Sequence, residues 1–521
     1  MPSLDLRLGI DVGGTHTDAV VLDRNDTVLA KAKVPTTKDV TEGIQKVIGK
    51  VTSLASIELD RIHHVMLGTT HATNAILERK RLSPVAILRI GSPSSDSIKP
   101  LFGWPEELAS AVNGRCRTVR GGIEFNGAEI VPFDEKATRD FFESLPDTVS
   151  TVAVTSIFSP VSPRHELAAA KIAREILSES ATISLSHEIG TMGLIQRENA
   201  TILNAALVGV ASDVAHALTL ALNTHGISAS VLFTQNDGTL MDLDFAVRFP
   251  ILTIGSGPAN SIRGAAFLSG LTDALVADVG GTTTDIGMLV NGFPRESALA
   301  VEIGGVATNF RMPDIISAAI GGGTRVRQSK VEGAAVRVGP DSVGYLLTQD
   351  ALSFGGAVPT LTDAAAMSGR AVIGSEVPES HRATLEQALQ ISDQTIAEAI
   401  DRAKIGRAGV PLVVVGGGSV LIPDALPGIS EIIRPNHFDV ANAVGAAIAQ
   451  VSGKWDEIVL LNGDRTAAIA EACNHAKERA IQAGANPEEV EVVELEEIPL
   501  AYLAEPAARI CVKAVGPLGR I

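Results

Sequence analysis

One eight-residue pattern occurs twice in this chain and limits the fold more than any other feature. Residues 11–18 read DVGGTHTD and residues 278–285 read DVGGTTTD. Each copy stands between two short apolar runs, and its paired glycines suit a tight turn, so each copy predicts a β-hairpin. The recurrence of this hairpin far along the chain indicates two related α/β units.

The same order of strands surrounds each copy of the pattern. Hairpin signals follow at Asn25-Asp26 and at Asn291-Gly292. The predicted strands are Leu6–Asp11, Asp18–Leu22 and Thr27–Lys33 in the first unit, and Leu275–Asp278, Asp285–Val290 and Arg295–Val301 in the second.

Strands and helices alternate through the rest of the chain, which predicts an α/β fold. Helices are expected at Thr41–Leu54, at residues 195–222 and at Arg465–Ala483. Further strands are predicted at His64–Leu67, Val85–Ile90, Val152–Phe158, Thr182–Ser186, Ser230–Thr234, Leu412–Val415, Glu489–Val493 and Ala507–Val515.

The repeated pattern suits the binding of a phosphate chain. A strand delivers an aspartate at its end, and two glycines let backbone N–H groups approach an oxyanion closely. Threonine hydroxyls add donors, and the carboxylate can orient a Mg²⁺ ion through water. Two such turns that face each other would hold the phosphates of one nucleotide from opposite sides.

These arguments select the residues of a nucleotide site. Asp11 and Asp278 are the predicted Mg²⁺ ligands and catalytic carboxylates. The predicted phosphate-binding residues are Gly13, Gly14, Thr15, Thr17, Gly280, Gly281, Thr282 and Thr283. Ordering of the hairpin is an equal alternative for the later residues of each copy, which are Thr17, Asp18, Thr284 and Asp285.

Two further glycine runs fit beside a nucleotide. Gly416, Gly417 and Gly418 follow a buried strand, where a turn without side chains lets adenine or ribose approach the backbone. The alternative there is a crowded turn between strand and helix. The second run, residues 321–324, could face the phosphates or the substrate.

The composition excludes several other classes of function. The formal net charge of −17 repels nucleic acid and anionic membranes, and aromatic residues make up only 3%. Three cysteines cannot form a disulfide framework or a four-cysteine zinc site. No P-loop, HExxH or GxSxG motif occurs. Asp5 and Arg7 interrupt the apolar core that a signal peptide needs, so we expect a cytoplasmic protein without nucleic-acid or membrane partners.

Several longer stretches resemble the A-type subunits of the hydantoinase/oxoprolinase family. They are GIDVGGTHTDAVV at the start, LGTTHATNAILER at 67–79, VAVTSIFSPVSPRHE at 152–166, SLSHEIG at 184–190 and TLTDAAAMSGR at 360–370. The resemblance implies the fold of the actin–hexokinase–Hsp70 ATPases, in which two ribonuclease-H-like domains enclose ATP. It predicts these domains at 1–190 and 273–452, connecting helices and a strand at 191–272, and a small C-terminal α/β segment at 453–521, where the usual subunits carry a larger region.

ATP-dependent opening of a cyclic amide is the activity that the resemblance implies. Members phosphorylate a lactam or imide oxygen, water attacks the activated carbon, and many act with a B-type subunit. We therefore expect ATP and Mg²⁺ as cofactors, a hydantoin, 5-oxoproline or a related lactam as substrate, and a neighbouring subunit, with self-association left open. Alternatives on the same fold are a sugar or metabolite kinase, a subunit for ATP-dependent ketone carboxylation, and a regulatory ATP-binding subunit.

The GTTHATN loop, residues 68–74, supplies two more predicted catalytic residues. Thr70 could donate to phosphate or substrate, and His71 could carry a proton, whereas a helix cap and an exposed histidine are the alternatives. Other candidates for the cleft, for which ion pairs, turns or helix caps are the alternatives, are His187, Glu188, Arg197, Glu198, Asn236, Asp237 and Asp363.

Overall fold

The structure, a computed structural model, describes most of the chain in a series of stretches. These are residues 6–37, 40–55, 58–112, 114–146, 148–190, 192–297, 301–310, 312–328, 336–406, 408–461, 465–500 and 507–519. Strands and helices alternate along them, which confirms the α/β fold that the sequence predicts.

The first sheet begins with the first copy of the repeated pattern. Its opening elements are β1 (Leu6–Val12), β2 (His16–Leu22), β3 (Val28–Pro35), α1 (Val40–Ala55), β4 (Ile62–Thr69) and α2 (His71–Glu78). β1 pairs antiparallel with β2, so that Asp11 lies opposite Asp18, and it pairs in parallel with β4, so that Asp11 lies opposite Gly68. The apolar stripe of α1, which includes Ile44 and Ile48, is fully buried in the apolar core with β1 and β2.

A separate sheet of four parallel strands follows. Its elements are β5 (Val85–Ser92), α3 (Glu106–Val112), β6 (Arg115–Arg120), α4 (Glu135–Glu143), β7 (Thr151–Ser156), α5 (Arg164–Ile176), β8 (Thr182–Leu185) and α6 (Ser186–Ile189). The strand order is β6-β5-β7-β8. The sequence did not predict β6, because this edge strand is mostly exposed and its residues, RCRTVR, carry no apolar alternation.

A long helix connects this sheet back to the first one. The elements of this part are α7 (Leu194–His225), β9 (Ser230–Thr234), β10 (Thr239–Asp242), α8 (Leu243–Arg248) and α9 (Ser256–Ser269). Among the described residues, α7 alone is long and apolar enough to cross a membrane. Core helices of soluble proteins meet the same criterion, and 61% of its most apolar window is buried, so α7 is weak evidence for a membrane span.

The second copy of the pattern begins the second main sheet. Its elements are β11 (Ala274–Val279), β12 (Thr284–Val290), β13 (Phe293–Pro294), β14 (Val301–Ile303), β15 (Val306–Thr308), β16 (Ile315–Ala318), β17 (Thr324–Gln328), β18 (Val336–Ser342), α10 (Leu347–Asp350), α11 (Leu361–Met367), α12 (Arg382–Ala403), β19 (Val410–Val415) and β20 (Ile429–Ile433). β11 pairs with β12 so that Asp278 lies opposite Asp285, the register of the first hairpin. The main path of this sheet runs β13-β12-β11-β19-β20.

The third strand of this second unit differs from the prediction. The sequence predicts it at Arg295–Val301, of which residues 298–300 lie outside the described residues. The partners of β12 are instead β13, which begins directly after the Asn291-Gly292 turn, and β16. After β13, Arg295 N–H still donates to the Met288 carbonyl at 2.8 Å, and β16 pairs with the other part of β12.

The C-terminal elements extend the first sheet. They are α13 (Ala441–Ala447), β21 (Gln450–Leu460), α14 (Arg465–Gln482), β22 (Glu491–Pro499) and β23 (Ala507–Gly516). β21 pairs in parallel with β10, and the whole sheet has the order β22-β23-β21-β10-β9-β4-β1-β2-β3. Sheet membership therefore crosses the positions 190 and 452 at which the sequence predicts domain boundaries.

Two helices cross between the main sheets with their backbones in contact. α9 leads from the first sheet to the second, and α13 leads back. A Cβ atom on Gly264 would overlap the carbonyl oxygen of Ala441, and one on Gly445 would overlap that of Asn260. Glycine at both positions is therefore what allows the helices to approach so closely.

Candidate functional site

The two repeated turns face each other across the structure. Both are closed by the same backbone bond, from Gly13 N–H to the His16 carbonyl at 3.0 Å and from Gly280 N–H to the Thr283 carbonyl at 2.9 Å. A Cβ atom on Gly281 would lie 3.2 Å from Cγ2 of Thr15. The structure thus brings the two sequence-predicted phosphate turns together.

The two predicted catalytic carboxylates are linked through two residues of the crossing helices. Asn442 on α13 donates its amide to Oδ2 of Asp11 at 3.4 Å, and Ser261 on α9 donates its hydroxyl to Asp278. The Ser261 hydroxyl also lies 2.7 Å from Oδ1 of Asn442. Asp11 and Asp278 therefore belong to one polar network, although 266 residues separate them in the sequence.

Burial raises the pKa of both carboxyl groups, and repulsion by neighbouring carboxylates raises that of Asp11 further. Burial, followed by the charges of Asp18 and Asp278, raises the pKa of Asp11 to about 7, against the weaker effects of Asn442 and Lys33. Burial also raises the pKa of Asp278, while the hydrogen bond from Ser261 is the largest opposing effect. A bound cation would relieve this cost, because an opposite charge nearby favours the ionised form.

The surroundings of Asp11 fit Mg²⁺. Asp11 is 4% exposed, and its Oδ1 atom has no hydrogen-bond partner among the described residues. Those residues contain no cluster of three or more histidine, cysteine, aspartate or glutamate side chains that could hold a metal. Mg²⁺ usually binds through one or two carboxylates and completes its shell with water and phosphate oxygens, so Asp11 and Asp278 form a suitable ligand pair.

The later residues of each copy order the hairpins. Thr17 and Thr284 are fully buried, with contacts to the Thr36 hydroxyl at 3.4 Å and to the Ile320 carbonyl at 2.7 Å. This burial favours the ordering alternative over ligand contact for Thr17. The acidic members also have protein partners: Lys33 Nζ lies 2.6 Å from Asp18, and the Ser317 hydroxyl lies 2.6 Å from Asp285.

The glycine run at 321–323 packs against the second turn and bonds to its backbone. The N–H groups of Gly322 and Gly323 donate to the carbonyls of Gly280 and Gly281 at 3.0 and 2.7 Å. A Cβ atom on Gly321 would lie 2.6 Å from the backbone nitrogen of Thr282. This run therefore shapes the turn through its backbone.

The glycine turn at 416–418 lies beside Asp278. Gly416 has a φ of +87°, and a Cβ there would lie 2.5 Å from the Val279 carbonyl oxygen. Gly418 N–H donates to that same carbonyl at 2.7 Å. A Cβ on Gly417, by contrast, would meet nothing within 4 Å. The turn thus borders open space next to the second hairpin, and its contact with adenosine stays a prediction.

The GTTHATN loop divides between the phosphate turn and the interior. Thr70 donates its N–H and its hydroxyl to the Val12 carbonyl at 3.2 and 3.3 Å, which places it against the first turn. His71 bonds through Nδ1 to the Thr69 hydroxyl at 2.7 Å and lines a small internal void with Val210 and Phe233. Burial, with the charge of Arg81, lowers the pKa of His71 to about 4. The catalytic roles of Thr70 and His71 stay predictions.

A cavity of about 1070 Å³ opens near the edge of the first sheet at which the strand β1 ends. β1, β4 and β9 are parallel, so the carboxyl ends that follow Asp11, Thr69 and Thr234 share that edge. Gln235, directly after β9, lines the cavity. With a strand spacing of about 4.8 Å, β9 lies roughly 10 Å from β1. Crevices at the carboxyl ends of parallel strands are the usual ligand sites of open α/β sheets.

A histidine held by a buried glutamate forms part of the cavity wall. His187 lines the cavity, and its Nδ1 lies 2.6 Å from Glu166, which is fully buried. Ser156 N–H and the Ser186 hydroxyl donate to the other carboxylate oxygen. Burial raises the pKa of Glu166, but the hydrogen bonds from His187 and Ser186 outweigh it, so the pKa lies below its ordinary value.

Two other predicted cleft residues stabilise this wall from behind. Arg197 donates to the Ser186 hydroxyl at 2.9 Å and to the Ser156 carbonyl at 2.6 Å. Glu198 forms a buried ion pair with Arg89. Arg197 and Glu198 therefore each have a structural partner within the protein: Arg197 bonds to Ser186 and Ser156, and Glu198 pairs with Arg89.

The remaining predicted cleft residues divide between cavity and scaffold. Asn236 and Asp237 line the cavity, where Oδ1 of Asn236 accepts from Gly255 N–H at 2.7 Å. Asp363 is the third residue of α11 and forms a reciprocal capping box with Thr360, the N-cap. Its buried oxygens also accept from Ser353, which supports the structural alternative for Asp363.

Comparison with known protein families matches most of the chain. Residues 7–177 match the hydantoinase/oxoprolinase N-terminal region, and residues 197–374 match the hydantoinase/oxoprolinase model. The chain belongs to the hydantoinase/oxoprolinase family. The sequence-based recognition of this family is thereby confirmed.

Characterised relatives in the family act on different substrates. Caprolactamase subunit alpha of Pseudomonas jessenii is 25% identical over 88% of this chain and 68% of its own length. Acetophenone carboxylase gamma subunit of Aromatoleum aromaticum is 26% identical over 70% of this chain and 53% of its own length. Both relatives are named as subunits, so family members occur in multi-subunit enzymes.

Solved structures support the fold prediction. A nucleotide-free acetone carboxylase structure superposes with a TM-score of 0.71 at 15% identity, covering 99% of this chain and 88% of the other. The ATP-dependent caprolactamase of Pseudomonas jessenii gives 0.72 at 18% identity, with the same coverage. This hydantoinase/oxoprolinase family member therefore has the fold of these two ATP-using enzymes.

Sequence reasoning did not identify Ser261, Asn442 or Gly68. The two polar residues lie on helices that are remote in sequence and carry no motif, so only the folded chain shows their contact with the carboxylates. Gly68 did leave a signal. It is the first residue of the GTTHATN loop, directly after the predicted strand His64–Leu67, and in the structure it lies inside β4. A glycine inside a strand indicates close approach of another group, and a Cβ there would lie 2.7 Å from Oδ1 of Asp11.

Proposed function

We propose that this chain binds ATP and phosphorylates the carbonyl oxygen of a small cyclic amide, so that water can open the ring. One observation carries the proposal: two matching Asp-Val-Gly-Gly-Thr turns face each other, with buried carboxylates joined through Ser261 and Asn442. The ATP-dependent caprolactamase with the same fold supports the choice of a cyclic amide.

The chemistry requires positioning more than a strong nucleophile. An amide carbonyl is a poor electrophile because resonance stabilises it, and phosphorylation turns its oxygen into a leaving group. Catalysis of phosphoryl transfer is mainly alignment and charge stabilisation. In this proposal, the products are ADP, phosphate and the ring-opened amino acid.

The chain's own residues would supply this alignment. Backbone N–H groups at Gly14 and Gly281 would donate to phosphate oxygens, and the hydroxyls of Thr15 and Thr282 would add donors. Asp11 and Asp278 would hold Mg²⁺, which when bound neutralises the charge of the phosphate chain. A neighbouring subunit is part of the proposal, since caprolactamase subunit alpha is itself one component of an enzyme.

Phosphate release from Mg·ATP tests the proposal directly. The chain would be assayed alone and with any neighbour-encoded partner against 5-oxoproline, hydantoins, small lactams, ketones with bicarbonate, and sugars. We expect stimulation by a cyclic amide, with ring-opened product in proportion to phosphate. A stable phosphorylated sugar would instead establish a kinase, and tight ATP binding without stimulation by any compound would contradict a catalytic role.

Ketone carboxylation is the second candidate function. It is favoured by the acetone carboxylase structure, which covers 99% of this chain, and by the acetophenone carboxylase gamma subunit among the relatives. Phosphate release that requires both a ketone and bicarbonate, with a carboxylated product, would select this candidate over amide hydrolysis.

A further inference from the structure

The cations that line the 1070 Å³ cavity are all paired with carboxylates. Among the described residues its wall has four lysine and arginine side chains. Lys454 and Lys513 lie 2.8 and 2.9 Å from Asp237. The other two pairs are Arg509 with Asp456, through two bonds of 2.7 and 2.6 Å, and Arg479 with Glu457 at 3.8 Å.

Carboxylates also outnumber these cations on the described wall. Against four cations stand Asp237, Glu296, Asp456, Glu457 and Glu494, while the sixth carboxylate of the wall, Glu188, is paired with Arg248. Asp237 is ionised at neutral pH: burial raises its pKa, but Lys454 and Lys513 outweigh this and hold the pKa well below its ordinary value. The field inside the cavity therefore opposes a second anion.

We propose that this cavity binds the cyclic amide and selects an uncharged one, rejecting a ring that carries its own carboxylate. The inference rests on the proposed function and names the substrate class within it. A ligand carboxylate would lose its hydration and find each cation already engaged, and a buried charge without a partner is costly. A neutral lactam or imide ring meets no such cost.

The neutral and apolar parts of the wall suit such a ring. Phe310, Trp455 and Val512 offer apolar surface for the methylene groups of a lactam. The ionised Glu166 can only accept, so Nδ1 of His187 carries the hydrogen between them. In the neutral imidazole this leaves Nε2 as the acceptor for an amide N–H.

A matched pair of ligands isolates the charge. 5-Oxoproline and 5-oxoprolinamide share one ring and differ by a carboxylate against a carboxamide of nearly equal size. Binding to the full chain with its partner subunit would be measured by calorimetry, and ATP-dependent ring opening would be measured in parallel. We expect the amide to bind at least about tenfold more tightly, since one charged contact is worth about that factor or more.

Removing the carboxylate partner of one cation should reduce the preference for the uncharged ring. Asp456→Asn removes the carboxylate that Arg509 contacts through two bonds, so 5-oxoproline should gain up to about tenfold in affinity while 5-oxoprolinamide changes little. Glu457→Gln, which frees Arg479 from a longer and more exposed pair, should act in the same direction more weakly. Asp341→Asn is the matched control, because Asp341 holds Arg327 through a similar two-bond pair outside the cavity wall.

The outcomes separate this inference from the proposed function. Tighter binding of the amide without phosphate release would support the cavity's selectivity and contradict the proposed reaction. Ring opening of 5-oxoproline as efficiently as of its amide would overturn the selectivity and leave the reaction intact. Failure of both ligands to bind, or unchanged affinities in both Asp456→Asn and Glu457→Gln, would also overturn the inference.

Discussion

The two Asp-Val-Gly-Gly-Thr hairpins share their backbone but not their surroundings. Each places its first aspartate opposite its last and closes its turn with the same backbone bond. Around Asp11, however, one carboxylate oxygen has no hydrogen-bond partner in the described part of the chain, and burial, Asp18 and Asp278 all raise the pKa of this group. Asp278 instead accepts a hydrogen bond from Ser261, which opposes the effect of burial.

This difference shows that a repeated motif determines where its carboxyl groups lie but not whether they are ionised. Backbone register places the two carboxylates symmetrically, because it depends only on the strands and glycines. The protonation of each carboxyl group depends on side chains from other elements, which the repeat does not contain. We therefore expect Asp11 to be the carboxyl group of the pair that responds to pH near neutrality.

The largest expected effect tests whether both carboxylates are needed. Asp11→Asn and Asp278→Asn should each lower ATP turnover by about a thousandfold, as loss of a charge-stabilising group in an active site does. Because the amide has the same shape as the carboxylate, each variant should keep the wild-type circular dichroism spectrum and unfold cooperatively on heating. Asp341→Asn, outside the site, should retain full turnover. Normal turnover in either site variant would show that the carboxylate replaced in it is not needed for ATP turnover.

The second prediction concerns the pH dependence of stability without nucleotide or divalent cation. Folding raises the pKa of Asp11 from an ordinary 3.8 to about 7, so the folded state holds a proton that the unfolded chain releases. The free energy of unfolding should therefore fall as pH rises from about 4 to about 7, by up to ~4 kcal/mol from this group.

Urea unfolding at several pH values would measure this slope. Asp11→Asn cannot ionise, so it should flatten the slope and stabilise the ligand-free protein at pH 8. Asp278→Asn serves as the comparison, since the hydrogen bond from Ser261 already opposes the rise in its pKa. Parallel slopes in wild type and Asp11→Asn would show that Asp11 titrates normally.

The third prediction compares the glycines beside the two carboxylates. Gly416→Ala forces a residue with a φ of +87° to carry a Cβ 2.5 Å from a backbone carbonyl, so it should cost ~3 kcal/mol of unfolding free energy. A Cβ on Gly68 meets the ends of the Asp11 and Asn260 side chains, which can rotate away.

Gly68→Ala should therefore lower ATP turnover more than stability, whereas Gly416→Ala should lower stability first. Urea unfolding and phosphate release, measured on both variants, would establish the order. An equal loss of unfolding free energy in the two variants would contradict the structural difference.

The smallest expected effect concerns the outer support of each hairpin. Lys33→Met removes the partner of the mostly buried Asp18 and should cost ~2 kcal/mol of unfolding free energy. Ser317→Ala removes an exposed hydroxyl from Asp285 and should cost less than ~1 kcal/mol. A larger loss in Ser317→Ala, measured by urea unfolding, would reverse this ranking.

Local signals in the sequence predicted much of the fold. The paired glycines and apolar runs located both hairpins, and the stripe of Ile44, Val47, Ile48 and Val51 located α1. The third strand of the second unit was predicted wrongly, because its continuation, β16, comes after an inserted hairpin formed by β14 and β15. Such an insertion changes which segment pairs with β12, without any local mark.

Only those parts of the candidate site that lie within a single turn could be predicted from the sequence. Each turn contains its own glycines and aspartate, so both could be found in isolation. Ser261 and Asn442 could not be predicted, because the role of a polar residue on a helix depends on the side chains that the folded structure brings into contact with it. The cavity is harder still to predict, since its wall comes from distant parts of the chain: the turn after β9, the strands β21 and β23, and the helix α6 that carries His187.

The crossing of α9 and α13 also constrains how this sequence can change during evolution. Gly264 and Gly445 touch neither turn, yet any larger residue would push the two helices apart and carry Ser261 and Asn442 away from the carboxylates. In a library of all single substitutions selected for ATP turnover, both glycines should be depleted of variants as strongly as Asp11. Tolerance to mutation would then map the contact between helices as sharply as it maps the chemistry.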